Sequence, residues 1–269
     1  MYKAALEFYG KEYEERLKQT IRNTAFYECE KNETCVDVQE KLLKTKFPKD
    51  YKKEMELCCG KDCTLKNGQA IIIFKDIPSI DYRANLVHEL FYHQFTRQSN
   101  FVVENSKGEK FYRDGISLTP QQKGLRENEA LNEGFAEYIT TQIMQIYTKN
   151  KSYRPDPRRI YEPLQEYAEQ IAACYNKEEI IKMITTGNPT IEELTQTEEF
   201  DFSTFSGYLD VFLKSRDTNF LKIAELFFLR FREKHTSISN QTSFSRKPTL
   251  KRCKPINHKT IMRGEGYYE

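Results

Sequence analysis

The residues best suited to chemistry lie in one stretch, "NLVHELFYHQF" at 85–95, which holds two of the four histidines in a chain of 269 residues. Imidazole nitrogens and carboxylates are the ligands that a catalytic zinc ion takes, with a fourth position left to water. His88, Glu89 and His93 offer three such groups almost side by side. Their spacing is the difficulty. A regular α-helix turns by about 100° per residue, so His88 shares a face with Tyr92 while His93 stands about 140° round from it. A widened π-turn absorbs one extra residue and returns His93 to the side of His88. Three readings stand at this point: a metal site on a widened helix, a degenerate site with Tyr92 where the second ligand was, and a coincidence.

A third ligand has a candidate in "ALNEGFAEY". Glu133 comes 45 residues after His88, in a segment of helical pattern. Glu137 lies one turn further on the same face and could accept the second ring N–H of a ligand histidine, which fixes its tautomer. Glu89, next to His88, stands where a carboxylate can take a proton from a metal-activated water. Asn132 and Gly134 read as packing residues, Gly134 permitting a close approach by a facing helix.

The pairing of H-E-x-x-H on one helix with N-E-G-x-x-E-Y on a later one resembles the gluzincin metallopeptidases, and the resemblance implies Glu133 as third zinc ligand. "ALNEGFAEYIT" is similar to the third-ligand helix of that group and to metallopeptidase-like proteins of Gram-positive bacteria. The likeness covers roughly residues 70–160, with a looser helical similarity to about 235. The longer spacing in "HELFYH" is similar to the H-E-x-x-G-H motif of the dipeptidyl peptidase III family, which implies His88 and His93 as ligands and Glu89 as base. Tyr92 replaces that family's Gly, and the chain is too short for its two-lobed fold. The gluzincin resemblance also points to Tyr153, in "KSYRPDP", as the donor to a developing oxyanion, with Tyr161 the second choice; both are otherwise ordinary packing tyrosines among 17.

The elements that must position these groups are mostly helical. Tyr9, Tyr13, Leu17, Ile21 and Ala25 recur every four residues and predict one amphipathic first helix. Shorter helices are expected over 34–46 and 50–58. "QAIIIFKD" (69–76), β-branched and aromatic between Gly68 and Pro78, reads as a strand. The helix carrying "HELFYH" follows, with Ser79 as its N-cap. Residues 101–118 read as two extended segments about a turn at Asn105–Gly108, and Asn100–Leu118 could supply an edge strand for an extended peptide. A long helix is expected from Leu125 to Tyr147, and several more lie between Tyr161 and His235.

The expected fold is therefore mainly α (α+β): a zincin-like helical domain whose small β-sheet precedes the active-site helix. The expected organisation is a helical, cysteine-containing region at 1–66, the metallopeptidase-like domain at 67–235 and a flexible basic tail at 236–269. That tail carries seven basic residues against Glu265 and Glu269, so its charge is +5 and the remainder, given a net +2, is −3. A solvated segment is the simplest account, and an acidic partner is the alternative. Five of the seven cysteines (Cys29, Cys35, Cys58, Cys59, Cys63) cluster, which suits disulfides first and a structural zinc second, with ordinary buried or surface thiols an equal alternative and at least one of the odd five left as a thiol; Cys174 and Cys253 stand alone. His235 and His258 read as surface or helix-capping residues.

No stretch has the roughly 18 apolar residues that a membrane span needs, and the first residues lack the apolar core of a signal peptide. The chain as given reads as soluble, cytoplasmic by default and exported if a signal was trimmed. Its near-neutral charge predicts no general affinity for nucleic acid. The expected function is zinc-dependent hydrolysis of a peptide or protein substrate. The alternative is a degenerate metallopeptidase fold acting as a binding or interaction module.

Overall fold

A computed structural model of the chain describes residues 1–30, 32–49, 52, 60–64, 69–75, 81–104, 110–120, 126–155 and 161–242. The protein is mainly helical with small sheets, and no helix among the described residues is long and apolar enough to cross a membrane. It divides into two compact units, Met1–Arg97 with Ile139–Pro157, and Gln98–Tyr138 with Arg158–Glu269.

In the first unit, the four-residue stripe of the amino-terminal segment does not build one helix. Gly10, at φ 105°, ends α1 (Tyr2–Tyr9), a 3₁₀ turn follows at Lys11–Tyr13, and α2 (Glu14–Asn23) completes the run. Such a backbone angle is open to glycine and strained for other residues. The stripe still faces one way. Leu17 is fully buried, the Tyr9 ring lies 4.4 Å from Phe95, and the Tyr9 hydroxyl donates to the Phe91 carbonyl at 2.6 Å. Arg16 donates to the Phe95 carbonyl at 2.7 Å, with its guanidinium over the Phe95 ring. Two carbonyls near the end of the histidine-bearing segment are thus held from α1 and α2.

Ala25 was expected to belong to that helix; it lies instead in β1 (Thr24–Glu28). β1 pairs in parallel with β3 (Ala70–Phe74), whose other neighbour is the antiparallel β2 (Gly60–Thr64). Pairing with a central strand overrides the helical pattern, because "TAFYE" is also β-branched and aromatic. Ile71, Ile72 and Ile73 are fully buried, and α3 (Cys35–Leu43) packs Cys35 and Val38 against Ile71, Ile73 and Cys63. Thr34 and Asp37 form the capping box that starts α3. The expected helix at 50–58 apart from Lys52, the residues Gly68, Pro78 and Ser79, and the turn at Asn105–Gly108 lie outside the described residues. The observed N-cap of α4 (Tyr82–Leu86) is Asp81, which accepts from the Arg83 N–H at 3.0 Å.

The second unit holds an antiparallel sheet of β4 (Gln98–Glu104), β5 (Lys110–Asp114) and β6 (Ser117–Pro120), in that order, with β4 and β6 at its edges. β6 is a strand beyond the two that the pattern predicted. The long helix α5 (Glu129–Thr148) begins in this unit and ends in the first. Five helices follow: α6 (Glu162–Ala172), α7 (Lys177–Thr186), α8 (Ile191–Thr195), α9 (Phe202–Ser215) and α10 (Thr218–Thr242). Tyr167, Phe200, Phe205, Phe228 and Phe231 form an aromatic core among them. The Tyr167 hydroxyl is matched to Glu225, which also pairs with Arg232. Helix α10 runs to Thr242, into a segment expected to be irregular; extending an existing helix needs no new nucleus. The rest of the basic tail, from 243 on, is outside the described residues.

Candidate metal centre

From α4 the chain passes without a break into a π-helix, Val87–Gln94. The Phe95 N–H reaches back to the Leu90 carbonyl, five residues earlier, and the four-residue pattern returns where the Arg97 N–H bonds to the His93 carbonyl at 3.0 Å. Widening the turn places residues five apart above one another. His88 and His93 meet accordingly, with their Nε2 atoms 3.2 Å apart and their ring planes 54° to one another. Both are almost fully buried, as are Glu89 and Tyr92. Tyr92 is edge-on to His93, with ring centroids 5.2 Å apart.

The fit of this pair to zinc can be tested on distance. Two nitrogens each 2.0–2.1 Å from a tetrahedral ion stand roughly 3.3–3.4 Å apart, close to the 3.2 Å observed. Two neutral imidazoles at this distance can also share one N–H, so the chemistry of the pair alone admits both a metal and a hydrogen bond. Glu89 follows His88 directly, buried at 4% exposure in the same turn.

Glu133, Glu137, Asn132 and Gly134 all lie on α5 in the second unit, Glu133 half-buried and Glu137 buried. The start of this helix is anchored by residues far away in the sequence. Asn128 sits at φ 58°, the Ala130 N–H bonds to Asp210 of α9 at 2.8 Å, and Ser206 donates to Asn128 at 2.6 Å. Burial pushes the Asp210 carboxyl up to about 6. Asn132 accepts from the Ile116 N–H at 2.9 Å, which ties the β5–β6 turn to α5. At Gly134 a Cβ would meet the Leu164 carbonyl oxygen at 2.3 Å, so α6 does approach α5 closely there. An isolated Asp in "SGYLDVF" gave no signal of its partner 80 residues away.

Tyr153 donates to Asp81, the N-cap of α4, which also pairs with Arg83. Burial and this bond raise the Tyr153 phenol above its ordinary range. Tyr161 is the N-cap residue of α6, in the second unit. His235 packs on Phe231, with centroids 4.3 Å apart, and on Tyr175; burial holds its imidazole below the usual value. His258, Cys58, Cys59 and Cys253 lie outside the described residues. Cys29, Cys35 and Cys63 gather beside β3 as thiols.

No known family model, curated protein or solved structure matches the chain.

Proposed function

We propose that this protein is a zinc-dependent peptidase whose metal is held by His88, His93 and Glu133. The observation that carries the reading is the π-helical turn that sets two buried imidazole nitrogens 3.2 Å apart. A regular helix needs no such distortion, and π-turns are rare and concentrate at functional sites. It is supported by the donor types, since His88, His93 and Glu133 offer two imidazoles and a carboxylate. Two imidazoles and a carboxylate are the ligands of a catalytic rather than a structural zinc site.

Zinc at these ligands would acidify a water and polarise a substrate carbonyl. Glu89 takes the proton from the attacking water and passes it to the leaving amine; its burial keeps bulk water from competing for that proton. Glu137 would orient a ligand histidine through its second ring nitrogen once the metal is held. Tyr153 can serve a developing oxyanion only by exchanging its bond to Asp81. The edge strand β4 offers main-chain groups to an extended peptide substrate.

The test is metal analysis and peptide hydrolysis on the wild type and on the double variant His88→Ala, His93→Ala. One zinc per chain and peptide cleavage in the wild type, both absent from a folded double variant, is the expected result. A wild type that takes up no zinc while its two imidazoles share a proton overturns the reading and leaves a binding module.

A further inference from the structure

The Sγ atoms of Cys29 and Cys35 stand 3.7 Å apart as thiols. We infer that these two residues are a redox modification site that closes to a disulfide by exchange with a small-molecule disulfide. The inference stands apart from the zinc reading and uses none of its residues.

The geometry prepares the bond. A disulfide needs its sulfurs about 2.05 Å apart, so closure asks for a movement of under about 2 Å, within reach of side-chain rotation and a small backbone shift. The backbone around the pair is already fixed. The Cys29 N–H bonds to the Phe74 carbonyl at 2.7 Å, just beyond the end of β1. Cys35 is the first residue of α3, held in place by the Thr34–Asp37 capping box. Both belong to the cluster that packs α3 on β3, so the bond ties the end of the sheet to the start of the helix.

The difference in exposure sets the order of steps. Cys29 is half-buried and Cys35 fully buried. The Cys29 thiolate attacks the external disulfide, forming a mixed disulfide and releasing one thiolate of the reagent. The Cys35 thiolate then attacks the Cys29 sulfur and expels the second. The two protein thiols lose two electrons and two protons, and the reagent disulfide becomes two thiols. Glu30, Glu33 and Asp37 line the cleft around this turn with Asn32 and Lys41. A cationic disulfide is therefore the preferred oxidant over an anionic one.

The experiment treats the reduced full chain with cystamine, and in parallel with oxidised glutathione, then alkylates, digests with trypsin and maps the peptides by mass. Cleavage after Lys31 puts the two cysteines on separate peptides. The expected product is a linked Cys29–Cys35 pair, about 2 Da lighter than the two peptides together and at least ten-fold more abundant than any other pair. Cystamine should form it faster. Closing this short loop should raise the unfolding temperature by roughly 2–8 °C. A Cys29→Ser chain should leave Cys35 reduced. A stable cysteamine adduct on Cys29 beside a reduced Cys35, a bridge from either to Cys58, Cys59 or Cys63, or a zinc ion that protects these thiols overturns the inference. The mapping is done on the wild type, so a variant that fails to fold does not remove the test.

Discussion

Two helical segments carry the candidate ligands, and they are built in opposite ways. Val87–Gln94 is a π-helix across its whole length, whereas Glu129–Thr148 is a regular α-helix. The first departs from the backbone's preferred geometry and is held there by neighbours: Tyr9 and Arg16 take the carbonyls of Phe91 and Phe95, and the side chains from Val87 to His93 are all buried. The second obeys the preferred geometry and is fixed near its start by Asp210, by Ser206 and by the Ile116 N–H that Asn132 accepts, with Gly134 letting α6 in close. Distortion appears where two residues five apart must meet. Regular structure suffices where Glu133 and Glu137, four apart, already share a face.

The sharpest way to break this contrast is to change the carboxylate that the π-helix carries. Glu89→Gln should lower peptide cleavage by about 10²–10⁴-fold, the usual size of a general-base contribution, while zinc content stays that of the wild type. Equal loss of metal and activity would move Glu89 from proton transfer into ligation or folding. On the regular helix, Gly134→Ala should destabilise by about 2–3 kcal/mol in denaturant unfolding, because a Cβ 2.3 Å from the Leu164 carbonyl forces the helices apart. In an exposed helix the same change would stabilise by about 1 kcal/mol, so the sign decides whether the close approach is real.

Asp210 gives a prediction in pH. Its folded carboxyl, raised by burial to about 6 from an ordinary 3.8, binds a proton more tightly than the unfolded chain does. Its contribution therefore favours the fold increasingly as pH falls through 6 toward 4 and is lost as pH rises through 6. Unfolding curves should show Asp210→Asn losing this dependence, a difference of about 1–2 kcal/mol between the ends of the window. If the two proteins run parallel, the carboxyl titrates as it would in water. The smallest effect belongs to Tyr9→Phe, which removes the donor to the Phe91 carbonyl and should cost about 1 kcal/mol. The widened turn should then lose amide-exchange protection at Phe95 before residues of Glu129–Thr148 do.

Much of this was legible in the sequence because it depends on local spacing. The 100° turn per residue shows that "HELFYH" needs a widened helix to bring its histidines together, and a widened helix is present. The isoleucine run of β3 and the long helix ending near Tyr147 follow from β-branched composition and helical periodicity. What local spacing cannot report is pairing across the chain. β1 reads as the end of a helix until β3 is available beside it, and β6 is defined by β5 and by the bridge between Leu118 and Glu127. Gly10 interrupts a stripe whose apolar period continues on either side of it. Ser79 and Asp81 are both good caps by composition, and Asp81 also has Tyr153 as a partner 72 residues away. The anchoring of α5 by Asp210 is equally non-local.

The central claim is that the π-turn exists to hold a metal. Crystals of the protein grown with zinc, measured on both sides of the zinc absorption edge, test it most directly. The account predicts one anomalous peak about 2.0–2.1 Å from the Nε2 atoms of His88 and His93, with a carboxylate oxygen of Glu133 at a similar distance. An empty map at the histidines, or a peak only at the cysteines around β3, contradicts it.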